Sequence, residues 1–179
     1  MQVTAHLTLR PVRPEDEPFL RELRAHVDIE RLHLNQWSVE ALPLAQQVIA
    51  SQFHVHAAHY RKVKNLRDTK DCVIELNGVT VGRFIVTQNA EEVYLSDIAV
   101  HPNFRGQGIG EAVVESTKHE CEQSRRLLHL HVDKDNTALQ FYLRLGFRAI
   151  GQSEINFLME WVPASLIGRT QVHAPKTSG

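Results

Sequence analysis

The sequence predicts a mixed α/β sheet in a single domain. Three observations carry that expectation. A hairpin signal stands at Asn77-Gly78, helical patterns lie between strand patterns in the second half, and a glycine loop links an apolar strand to a helix. At 179 residues the chain is long enough to bury a real core as one domain. That domain is expected over residues 1–167. The polar stretch 168–179, which holds Pro175, reads as a frayed tail.

In chain order, Leu7-Thr8-Leu9-Arg10 alternates like a short strand, and Pro14-Glu15-Asp16-Glu17 reads as an acidic first helical turn. Phe19, Leu20, Leu23 and Val27 then recur at helical spacing as a buried face. The region from Leu32 to Pro43, with Trp37, fits a loop or a short helix. Ile49, Phe53, Ala57 and Tyr60 form a second helical stripe. Cys72–Leu76 and Val79–Val86 flank Asn77-Gly78, a pair suited to the positive φ angles of a type I′ turn. Val93–Val100 is nearly continuously apolar and predicts a central strand. The helix after the glycine loop should run to about Gln123, burying Ile109, Ala112, Val113, Thr117 and Cys121. Leu127–Val132 alternates cleanly, with Leu128, Leu130 and Val132 on one face and His129 and His131 on the other. A helix from about Thr137 to Leu145 stops at Gly146. Arg148–Gly151 and Asn156–Trp161 read as two closing strands.

Hydrophobic residues make up 42% and charged residues 23% of the chain, ordinary values for a globular protein. A net charge of -1 offers no basic excess for nucleic acid or an anionic membrane. No apolar stretch approaches the roughly 20 residues of a membrane span, and the N-terminus lacks a signal-peptide pattern. The two cysteines, Cys72 and Cys121, show no CxxC spacing and fit a reducing cytoplasm. Histidines number 11, and His54, His56 and His59 fall together. No HExxH pattern accompanies them, so no metal site is expected.

The segment Asp97–Gly110 carries most of the functional information. Its loop holds three glycines in five residues, at 106, 108 and 110, and opens a helix. Free backbone N–H groups beside the positive end of a helix bind phosphate. The simpler alternative is a glycine-rich turn with no ligand. A Walker A loop is excluded because Gly-Lys-Ser/Thr is absent. The dinucleotide fingerprint is missed too, since Glu111 stands where a third glycine belongs.

With its flanks, this segment resembles the GCN5-related N-acetyltransferases, the GNAT family. The family's Arg/Gln-x-x-Gly-x-Gly/Ala motif stands here as Arg105-Gly106-Gln107-Gly108-Ile109-Gly110. Its second signature stands as Asn136-Thr137-Ala138-Leu139-Gln140-Phe141-Tyr142-Leu143-Arg144-Leu145-Gly146-Phe147. The likeness covers roughly residues 71–161, while residues 7–67 match in element order only. It implies a GNAT-like fold, a mostly antiparallel sheet splayed at the cofactor cleft and flanked by helices. It also implies acetyl-CoA as acyl donor and coenzyme A as product.

The resemblance implies roles residue by residue. The N–H groups from Arg105 to Gly110 (Arg105, Gly106, Gln107, Gly108, Ile109, Gly110) would hold the CoA pyrophosphate, with Arg105 adding charge unless it is merely a solvated loop residue. Ile98, Ala99 and Val100 would pair with the pantetheine arm and offer an amide to the thioester oxygen. Tyr142 matches the family's usual general acid; otherwise it is an aromatic packed beside Phe141. Asn136 matches a residue contacting the cofactor arm, and it also suits a helix N-cap. For the base, the expected strand positions Tyr94 and Ser96 are poor at neutral pH, and Asp97 faces the other way. His131 stands where some relatives carry a Glu; the alternative is an ordinary strand histidine. Imidazole titrates near neutrality and suits the task.

The expectation is a cytoplasmic acetyltransferase that transfers acetyl directly to an amine, without a cysteine intermediate. The acceptor stays open between a small molecule and a protein amine. Neither nucleic acid nor membrane is expected as a partner. A homodimer stays open, since dimers are common in such families. The rival reading is a non-catalytic acyl-CoA-binding sensor or assembly module, supported by the missing acid at 94 and 96. A nucleotide-phosphate binder is disfavoured by the absent lysine.

Overall fold

A computed structural model describes residues 6–31 and 68–167. The Trp37 region, the stripe from Ile49 to Tyr60, the His54–His56–His59 group and the 168–179 tail lie outside the described residues. The strands are β1 (Leu7–Pro11), β2 (Asp68–Leu76), β3 (Val79–Gln88), β4 (Glu92–Val100), β5 (Leu127–Asp133), β6 (Arg148–Gln152) and β7 (Asn156–Trp161). The helices are α1 (Glu17–Arg31), α2 (Ile109–Ser124), α3 (Ala138–Arg144) and the short α4 (Ala164–Ile167). The strands make a seven-stranded, mostly antiparallel sheet in the order β1-β2-β3-β4-β5-β7-β6. This is the mixed fold expected from the sequence, with β4 in the middle of the order.

The chain divides into two compact units. The first draws on Met1–Gln88 and Leu95–Gly110. Its nucleus is the β2–β3 hairpin, turned by Asn77 (φ 52°) and Gly78 (φ 81°). Both angles are positive, as a type I′ turn demands. Leu76 pairs with Val79, and a bulge shifts the register between Ile74 and Glu75. β1 adds antiparallel to β2, with Leu9 opposite Ile74. Val73, Ile74, Val81 and Ile85 are fully buried, so neighbouring positions on β2 are covered on both faces. α1 packs against β3, and Leu23 is its most buried apolar residue, while Phe19, Leu20 and Val27 are half-buried.

Two buried carboxylates were not legible as core. Asp28 is fully buried and takes both prongs of the Arg24 guanidinium at 3.0 and 2.8 Å. Asp16, 5% exposed, accepts two hydrogen bonds from Arg10, each 2.7 Å, and one from the Arg13 backbone N–H at 2.8 Å. Arg10 also donates to Glu75 at 2.6 Å. These pairs satisfy the rule that a buried charge needs a hydrogen-bonded counter-charge.

The second unit draws on Asn89–Tyr94 and Glu111–Gly179. Its core holds Val113, Val114, Cys121, Leu128, Leu130, Val132, Tyr142, Phe147 and Met159. β5 and β6 both pair antiparallel with β7. The alternation along β5 is as expected: Leu128, Leu130 and Val132 are buried, and His131 is exposed. α2 corrects one expectation, because Ala112 is exposed and Val114 is buried. At about 100° per residue, the row 109, 113, 117 and 121 centres roughly 120° from Ala112 but only about 80° from Val114.

Candidate functional site

In the first unit, the end of β4 is anchored by the His101 N–H donating to the Val81 carbonyl at 2.8 Å. Ser96–Val100, including Ile98 and Ala99, are half-buried throughout, unlike Val93 and Leu95 earlier in the strand. A 3-10 turn, Pro102–Phe104, follows and leads into the glycine loop. Gly106 and Gly108 have φ of 73° and 75°. A Cβ at either would meet nothing within 4 Å, so the left-handed backbone, not crowding, calls for glycine there. Arg105, Gly106, Gln107 and Gly108 are exposed, Ile109 is buried and Gly110 is half-buried.

The loop ends where α2 begins, a helix of 16 residues. Its first amides have no intrahelical acceptor and stand at the positive end of the dipole. Arg105 is tied back: its Nε donates to the Val100 carbonyl at 3.0 Å and its Nη1 to Glu30 of α1 at 2.7 Å.

In the second unit, Asn136 takes its capping role. Its Oδ1 accepts from the Ala138 N–H at 2.8 Å. Tyr142 is 8% exposed on α3. Its ring meets Phe141 and Phe147 edge-on at centroid distances of 5.1 and 5.6 Å. Gly146 (φ 82°) ends the helix, and the Phe147 N–H donates to the Tyr142 carbonyl at 3.1 Å.

The two β5 histidines separate clearly. His129 is bound through both ring nitrogens, Nδ1 to Glu92 at 2.9 Å and Nε2 to Glu160 at 3.1 Å. Burial pushes the Glu160 carboxyl up, but hydrogen bonds from Arg148 and His129 outweigh it and hold the group below the usual carboxylate range. His129 is therefore committed to cross-strand structure. His131 is exposed, and its Nδ1 is hydrogen-bonded to the Tyr94 hydroxyl. Sequence reasoning weighed Tyr94 only as a base and missed it as the partner of His131. Alternation fixes the face of each residue within its own strand but not the register between strands, so no local signal pairs the two.

Both cysteines are free. Burial pushes the Cys121 thiol up to about 11 and also raises Cys72. No helix of the described residues is long and apolar enough to cross a membrane.

Comparison with known proteins fits this geometry. The sequence profile of the Acetyltransferase (GNAT) domain matches residues 35–166. The chain belongs to the GNAT family, a family of acetyl-CoA-dependent N-acyltransferases. An uncharacterized N-acetyltransferase of Methanocaldococcus jannaschii is 35% identical over 85 residues, 42% of this chain and 37% of that protein. The match thus spans little more than a third of the relative's length. Among solved structures, the PaiA N-acetyltransferase of Thermoplasma acidophilum, in complex with coenzyme A, superposes with a TM-score of 0.65 at 17% identity. That match covers 88% of this chain and 99% of that one. The ribosomal-protein-S18-alanine N-acetyltransferase of Escherichia coli gives 0.59 at 19% identity, covering 97% and 99%. At these identities the likeness is one of fold.

Proposed function

We propose that the chain transfers an acetyl group from acetyl-CoA directly to an amine. The observation that carries this reading is the loop Arg105–Gly110, exposed from Arg105 to Gly108. Two left-handed glycines, with open space around them, lead into the unpaired amides of a long helix. That cradle suits a pyrophosphate in an acetyltransferase-family chain. Ile98, Ala99 and Val100 pair with the pantetheine arm and turn an amide to the thioester oxygen. Asn136 keeps its Nδ2 for the arm while its Oδ1 caps α3.

The proton roles fall to His131 as base, supported by its hydrogen bond to Tyr94, and to Tyr142 as acid, supported by its match to the family motif. In the tautomer whose Nδ1–H donates to the Tyr94 oxygen, His131 keeps the Nε2 lone pair to take the amine proton. As the C–N bond forms and the C–S bond breaks, Tyr142 gives its phenol proton to the departing sulfur. The raised thiols of Cys72 and Cys121 support direct transfer, since neither offers a thiolate near neutral pH. The acceptor is a small-molecule or protein amine.

Acetyl-CoA titration by calorimetry, followed by thiol release across an amine panel, tests the reading. Tyr142→Phe should lower kcat by about 10²-fold or more while leaving acetyl-CoA affinity within about twofold. His131→Ala should act likewise. Binding without turnover on any amine would favour a sensor. Turnover unchanged in Tyr142→Phe would remove the general-acid role.

A further inference from the structure

We propose that Glu22, His26 and His101 form a binding site for a zinc-class divalent metal ion. The site lies wholly in the first unit and is independent of the acetyl-transfer reading. Glu22 and His26 stand four residues apart on α1, so both side chains project from one face of the helix. His101 follows the end of β4 and is 8% exposed.

The ligand atoms are already close. Oε1 of Glu22 lies 3.5 Å from Nε2 of His101 and 3.9 Å from Nε2 of His26. One ligand atom from each of the three residues falls within 4.8 Å of the others. Ligands at about 2.0–2.1 Å in a tetrahedral site sit roughly 3.3 Å apart. The cluster thus needs only a modest contraction, and the exposed Glu22 and half-buried His26 have the freedom to make it.

The immobile member is His101. Phe19 and Phe104 flank its ring at centroid distances of 6.1 and 6.2 Å, and its backbone N–H and carbonyl are both bonded. Two imidazoles and one carboxylate select zinc, cobalt or nickel over magnesium or calcium, which take oxygen ligands. Three protein ligands leave the fourth position for water.

One local change accompanies binding. His101 Nδ1 now accepts the Asn103 N–H at 3.3 Å. Metal on Nε2 places the imidazole proton on Nδ1 and ends that long hydrogen bond. The exchange of one weak bond for a metal–nitrogen bond is favourable.

Calorimetric titration of the full chain with zinc should show one saturable site. Cobalt should give the intense visible absorption of tetrahedral coordination. His26→Ala and Glu22→Gln, both at accessible positions, should weaken that site about a hundredfold or more, since losing a supporting residue alone costs 10–100-fold. Thermal unfolding without metal should leave both variants near wild type. Absence of a saturable site overturns the proposal. So does tight binding that survives both substitutions, which would place the metal on other histidines such as His54, His56 and His59.

Discussion

Replacing Gly82 with alanine puts a methyl group where backbone already sits. The new Cβ would lie 2.4 Å from the Ala99 carbonyl oxygen and 2.9 Å from Ile74 Cδ1. Ile74 is fully buried and has little room to swing. A carbon ordinarily approaches a carbonyl oxygen no closer than about 3.3 Å, so β3 and β4 must part by roughly 0.9 Å. Overpacking of this kind costs about 1–3 kcal/mol, and a ladder hydrogen bond stretched beyond use adds about 1 kcal/mol.

The variant should therefore lose about 2–4 kcal/mol. At roughly 2–4 °C per kcal/mol for a chain of this size, its Tm should fall by about 5–15 °C. Ala99 belongs to the strand segment proposed to pair with the pantetheine arm, so the shift would stretch those contacts, and misplacement near 1 Å can cost up to about a hundredfold in turnover. Acetyl-CoA affinity should weaken accordingly. Differential scanning calorimetry and acetyl-CoA titration read both effects. The sign is informative, because alanine for glycine inside a strand is normally worth about 0.5–1 kcal/mol of stabilisation. A Tm equal to or above wild type with unchanged affinity would refute the close approach of the two strands.

Gly108→Ala should weaken acetyl-CoA binding while changing stability by only about 1–2 kcal/mol, since its φ of 75° strains an L-residue and open space surrounds it. Titration beside thermal unfolding checks this. At Asp16, the hydrogen bonds from Arg10, chiefly, hold the carboxyl below its usual value. A depressed carboxylate contributes stability above its unfolded pKa of about 3.9, lost as pH falls through the lower folded value. Asp16→Asn should cost about 2–3 kcal/mol at pH 7. The gap to wild type should close below about pH 4 in urea melts taken across pH.

The parts legible in the sequence are those set by neighbours along the chain. Asn77-Gly78 announces its turn because two positive φ angles in sequence suit few other pairs. Leu128, Leu130 and Val132 announce their face because alternation is local. The glycine loop is readable for the same reason. What escaped depends on distant partners. Asp16 and Asp28 are the exception, because their counter-charges Arg10 and Arg24 lie close by in sequence; what escaped there is the burial, since such local ion pairs ordinarily sit on a solvated face. His129 and His131 look alike in sequence, yet Glu92 and Glu160 hold one while Tyr94 holds the other. His101 reads as a loop residue until α1 brings Glu22 and His26 beside it. The Ala112 error on α2 arose from extending a stripe by i+3 steps where the i+4 row governs.

Arg105 has a mechanical consequence apart from its charge. One guanidinium spans from the carbonyl that ends β4 to a carboxylate on α1. It works as a cross-brace, so the strand end and the first residue of the glycine loop move together. A lysine there would keep the positive charge but lose the planar fork that spans both acceptors. The aim of the cradle, more than its attraction, would then be left loose.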